Sequence, residues 1–128
     1  MNHRALVVVD SITQAVGGVA GAVIVCGSHG GISSARYALE AAPSAVVFND
    51  AGVGRDDAGI AALAVLQRAG IAACTVAHTS ARIGDASSTL QDGTLSHCNA
   101  CAMDLRARAG MPCNEWVERL TSDGARAD

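Results

Sequence analysis

The sequence predicts a single three-layer α/β domain built on a mainly parallel sheet of about four strands. Three observations carry this expectation. Four short apolar runs are continuous rather than alternating, helix-spaced segments lie between them, and 128 residues make about one ordinary domain. Continuous runs rich in Val and Ile suit strands covered on both faces, as in a parallel sheet.

The first run, residues 5–9, stops at Asp10. The connection 10–21 spans only 12 residues, close to the minimum that returns a parallel strand, and has room for about two helical turns. The second run, 22–26, stops at Gly27. An Ala-rich helix is predicted over 32–42, with Ser33 and Ser34 near its start and Pro43 just past its end. After a third run at 45–48, Asp56 and Asp57 open a helix whose stripe of Ile60, Leu63, Ala64 and Leu66 runs to Ala69, with Gly70 as the stop. The fourth run is 71–77. The polar stretch 78–93 shows neither period and is predicted to be a functional loop. A helix is predicted over 95–109, closed by Gly110 and Pro112, and a short one over 114–120. The domain is thus expected to span 1–120, with 121–128 as a frayed tail.

Composition narrows the function classes. There are 26 Ala and 14 Gly but one each of Phe, Tyr and Trp, so the core is built from Ala, Val, Leu and Ile. Nine Arg, no Lys and a net charge of −3 give no broad cationic face, which argues against nucleic acid as a partner. The absence of Lys also removes Schiff-base chemistry and a phosphate-loop lysine. The run 5–9 is too short for a signal peptide and the five cysteines are an odd set, so the expectation is reduced thiols in the cytoplasm. The apolar stretch 15–26 is broken by glycines and falls short of the roughly 20 residues that span a bilayer, so no membrane is expected.

In a parallel sheet the carboxyl ends of the strands share one edge, where ligands usually sit. Here those ends carry Asp10-Ser11-Ile12-Thr13, then Gly27-Ser28-His29-Gly30-Gly31, then Asn49-Asp50-Ala51-Gly52-Val53-Gly54, then His78-Thr79-Ser80. The glycine segment lets backbone approach a bound group and turns amides toward it, which suits an anion. It is also an ordinary turn with a capping histidine. His29 can carry a proton near neutral pH or ligate a metal, and Asp50 can orient it or act as a base if their strands are neighbours. The bland role of Asp50 is to cap its turn. Arg82, between Ser80 and Asp85, has a donor fork suited to carboxylate or phosphate, and it can equally pair with Asp85.

The expected function is therefore a small-molecule enzyme, hydrolytic or proton-transferring, acting on a small polar or anionic compound. His29 and Asp50 form the acid–base pair and His78 assists. Gly27, Ser28, Gly30, Gly31, Asn49, Ser80, Arg82 and Asp85 line the ligand site, and no cofactor is called for. The alternative is a noncatalytic ligand-binding module or a homo-oligomeric assembly protein. His97, Cys98, Cys101 and Cys113 offer half of a zinc site, but small buried thiols or a redox pair explain the same residues. No metal site is assigned to them. Cys26, just before the glycine turn, is the one position for a catalytic cysteine.

A strand ending near Ser28-His29-Gly30, then a helix, then a strand ending in a small-residue turn, resembles the caspase-like cysteine peptidase fold over residues 23–78. The resemblance implies His29 as the catalytic histidine. The next strand ends in Asp50 and Ala51 where that family places its cysteine, so it implies no peptidase activity. Segments 27–31, 49–54 and 80–85 also resemble those of small bacterial α/β proteins, a likeness that brings no mechanism with it.

Overall fold

Val23, Ile24, Val25 and Cys26 have no solvent exposure, and neither do Val46, Val47 and Phe48. Cover on both faces is what their continuous apolar runs require. The computed structural model describes residues 4–121. In chain order its elements are β1 (Leu6–Val9), β2 (Val23–His29), α1 (Ile32–Ala41), β3 (Ala45–Asn49), α2 (Ala62–Arg68), β4 (Ala72–Val76), α3 (Ala86–Asp92), β5 (Leu95–Cys98), α4 (Ala100–Asp104) and α5 (Cys113–Thr121). Strands β1 to β4 are parallel and adjacent in sequence order, and β5 is antiparallel to β4.

That strand order explains the layering. Strands added in one direction by right-handed crossovers send every connection over the same face. Accordingly α1 and α2 enclose one core with Ile24, Val46, Phe48 and Leu66. The opposite face is left for the C-terminal third of the chain. Leu90 of α3, Ala102 of α4, and Trp116, Val117 and Leu120 of α5 close it over Val25, Val47 and Val76. Trp116 is fully buried, and its Nε1–H donates to Leu105 O at 3.0 Å. Among the described residues no helix is long and apolar enough to cross a membrane.

The α/β class and the four parallel strands match the sequence expectation, and several local elements differ. The sheet has five strands. Residues 95–98 are β5, where a helix over 95–109 is predicted. Leu95-Ser96-His97-Cys98 pairs antiparallel with the edge that β4 offers, and Asn99 ends the strand by capping α4. The polar stretch 78–93 contains α3, whose N-terminus is capped by Asp85 accepting from Ser88 N–H. The short connection after β1 makes a single 3-10 turn at Ile12–Gln14, because Gly17, Gly18 and Gly21 take up left-handed backbone beyond it. Helix α2 starts at Ala62 rather than at Asp56. Asp56 and Asp57 have φ of +55° and +58°, and a Cβ at Gly59 would collide with Asp50 O. Thr121 belongs to α5, and the rest of the expected tail, 122–128, lies outside the described residues, as do 1–3.

Candidate functional site

Because β1 to β4 run in sequence order, the sheet has no strand-order reversal to open a crevice at its carboxyl edge. The chain builds a hollow there by folding its own loop over the edge. After β4 the segment 80–85 crosses back to β2, where Gly84 N–H donates to Gly27 O at 2.8 Å. Ala86 N–H then donates to Asp10 Oδ1 at 2.9 Å, tying the start of α3 to the end of β1. Under this strap lies a hollow of about 440 Å³ lined by Asp10, Ser11, Thr13, Ser28, His29, Ser33, Tyr37 and Ile83, among others. That size is in the range of small-molecule sites. His29 is exposed on its wall.

The second feature is a carboxylate–imidazole pair. His78 Nδ1 stands 3.4 Å from Asp50 Oδ1, with the imidazole 55% exposed and the carboxylate 6%. The same oxygen accepts from Gly52 N–H at 2.8 Å and from His78 N–H at 3.0 Å. Burial pushes the Asp50 carboxyl up, but hydrogen bonds from Gly52, Ser96 and the His78 amide, helped by the His78 charge, outweigh it and hold it below the usual carboxylate range. Asp50 is thus a fixed acceptor, and the His78 imidazole beside it is more than half exposed.

The loop that follows is unusual backbone. Ala51, Gly52, Val53, Gly54, Asp56 and Asp57 all have φ between +51° and +78°. For a β-branched residue such as Val53, at +66°, this costs on the order of 1–3 kcal/mol, and such strain concentrates at functional sites. Its effect here is to bring Gly52 N–H back onto Asp50 and Gly52 Cα against the His78 ring, so that a Cβ at Gly52 would lie 3.5 Å from His78 Cε1.

The expected site residues divide between these features and the scaffold. The imidazole paired with Asp50 is that of His78, while His29 lines the hollow. Two strand spacings, about 10 Å, separate the ends of β2 and β4 that carry the two histidines. Ser28 lines the hollow, and its Oγ accepts from Ile12 N–H. The amides of Gly27 and Gly30 are not aimed at a ligand, since they donate to Asp10 O and Asn49 O. Gly31 leaves room for the His29 ring, which a Cβ there would meet at 2.5 Å. Asn49 is fully buried and holds two loops, donating to Ala81 O and accepting from Ala51 N–H. Ser80 Oγ donates to Ala77 O and accepts from Thr94 N–H. Asp85 caps α3 and forms no pair with Arg82, whose guanidinium is exposed and has no ion pair among the described residues.

Cys26 is fully buried, donates to Val47 O, and is pushed up to about 12 by burial, which removes it as a nucleophile. Among the described residues no three His, Cys, Asp or Glu side chains converge as a metal site requires. The sequence reading missed Ser96, Ser33 and Tyr37. Residues 95–98, Leu-Ser-His-Cys, do not alternate and so give no local signal for Ser96.

The Asp50 carboxyl makes one pH prediction. A carboxyl held low in the folded state stabilises the fold above its unfolded value, about 3.9, and that contribution is lost as pH falls through the folded value. Asp50→Asn is therefore expected to lower the melting temperature most at neutral pH. The gap to the wild-type protein should shrink as pH drops from about 5 toward 2 in thermal melts, and a gap independent of pH would contradict the assignment. In comparisons with known proteins, the chain matches no family model, no curated protein and no solved structure.

Proposed function

We propose that the protein is a small-molecule enzyme in which His78 carries protons as a general acid–base, oriented by Asp50, with the adjacent hollow around His29 seating a small polar or anionic substrate. The observation that carries this reading is Asp50 Oδ1 held by two backbone amides while facing His78 Nδ1 at 3.4 Å. A carboxylate fixed in this way selects the tautomer with hydrogen on Nδ1 and leaves Nε2 free to accept a proton from substrate or water. Hydrolysis of a small ester, amide or phosphate, or proton abstraction beside a carbonyl, is the chemistry such a pair serves. Ser28, Ser33 and Tyr37 supply hydroxyls to a bound polar group, and Arg82, next to Ile83 on the rim, supplies a charge for an anionic one. Five free thiols suit a reducing compartment, the cytoplasm.

A second reading is a noncatalytic ligand-binding module. The observation that favours it is the separation of the hollow from the Asp50–His78 pair by the end of β3. Turnover of p-nitrophenyl acetate and p-nitrophenyl phosphate by wild-type protein and His78→Gln distinguishes the two. General acid–base work contributes about 10²–10⁴-fold, so a loss of that size is expected in the variant. Undiminished turnover would end the acid–base assignment. A compound that raises the melting temperature of both proteins without being transformed would support the binding module.

A further inference from the structure

The structure assigns Cys74 and Cys98 as a cross-strand dithiol that peroxide converts into a disulfide, with Cys98 as the attacking sulfur. The two residues are register partners across the antiparallel β4–β5 pair. Asn99 N–H donates to Ala73 O at 3.0 Å, which places the ladder hydrogen bond one residue beyond them and makes the cysteine pair a non-hydrogen-bonded one. At such positions the Cα atoms stand about 4.5 Å apart, just inside the range of roughly 4.4–6.8 Å over which a disulfide forms. The two differ in access, since Cys74 is fully buried and Cys98 is partly exposed.

Their chemistry differs in the same sense. The Cys98 thiol is held below its ordinary value by a hydrogen bond from Cys74, against some burial and helped by the charge of Arg108. Burial and the neighbouring Cys98 push Cys74 well up. The accessible sulfur is thus the one with thiolate character, as an attacking cysteine needs. Cys98 also begins a Cys-x-x-Cys segment with Cys101. Its hydrogen-bonded thiol partner, however, is Cys74, while Cys101 lies within α4 with its N–H donated to Gln67 Oε1.

The reaction balances with hydrogen peroxide as the oxidant. The Cys98 thiolate attacks one peroxide oxygen, the O–O bond breaks, and hydroxide leaves a sulfenic acid on Cys98. The Cys74 sulfur then attacks the Cys98 sulfur, the S–O bond breaks, and the departing oxygen leaves as water with the Cys74 proton. Two thiols and one peroxide become one disulfide and two waters. The bond fastens β5, and with it Ser96 beside Asp50, to β4.

The test is non-reducing tryptic mapping of the full chain after hydrogen peroxide and thiol alkylation. Arg68 and Arg82 flank Cys74, whereas Arg82 and Arg106 flank both Cys98 and Cys101. A Cys74–Cys98 bond therefore joins peptides 69–82 and 83–106 at their summed mass less two hydrogens, and a Cys98–Cys101 bond stays inside 83–106. The expected result is the joined pair, retained in Cys101→Ser and lost in Cys98→Ser. A closed loop within 83–106, a link from 69–82 to the Cys113 peptide, or fully alkylated thiols in the treated wild-type protein would overturn the assignment, and none of these outcomes depends on a variant folding.

Discussion

Asn99→Ala is expected to destabilise the protein by roughly 3–5 kcal/mol, more than any other single polar truncation proposed for this chain. Asn99 is buried, and its amide side chain joins three elements. Oδ1 accepts from Ala73 N–H of β4 at 3.0 Å and from Ala102 N–H of α4 at 2.9 Å. Nδ2 donates to Ile71 O at 3.0 Å and to Leu63 O of α2 at 3.2 Å. Truncation leaves two buried donors and two buried acceptors without these partners, and each unmet group costs about 1–3 kcal/mol unless water replaces it. Asn99→Asp tests the same account from another side, because it keeps both accepted bonds and removes both donated ones. Urea melts should place it between wild type and Asn99→Ala, and equal stability of the wild type and the alanine variant would contradict the described network.

Gly27→Val is expected to cost about 3 kcal/mol and to open the hollow. A Cβ on Gly27 would overlap Asp85 N and the Gly84 backbone. These are main-chain atoms, so rotating a side chain cannot relieve the clash. Relief requires the strap 80–85 to lift, which breaks the Gly84 N–H to Gly27 O bond and strains the Ala86 N–H bond to Asp10. Hydrogen exchange should then show faster exchange at Gly84 and Ala86 than in the wild-type protein, with the β3–β4 amides unchanged. Unaltered exchange at both positions would mean that the strap does not depend on close approach at residue 27.

These two residues also show what was legible in the sequence. The continuous apolar runs of β1 to β4 announce a covered parallel sheet, and the Ser33, Ser34 and Pro43 punctuation outlines α1. Gly27 was visible as a special position, but its cause is backbone packing against a segment nearly sixty residues away in the chain, a contact that local pattern cannot encode. Asn99 does carry one local signal, since Asn favours a helix N-cap over a helix interior and caps α4 here, but a cap preference says nothing of its partners in β4 and α2. Strand β5 was obscured for the same reason: four residues with one strong apolar side chain exist as a strand only because the edge of β4 is there to pair with. At the site, Asp50 and His78 each mark a strand end in the sequence. Their pairing follows from the adjacency of β3 and β4 and from the left-handed loop 51–57, neither of which is written in the spacing.

The central claim is that Asp50 sets the state of His78, and nitrogen NMR of the His78 ring reads it most directly. The account predicts that the neutral imidazole carries its hydrogen on Nδ1 in the wild-type protein and shifts toward the Nε2–H form in Asp50→Asn. An Nε2–H ring in the wild-type protein, unchanged by that substitution, would contradict it.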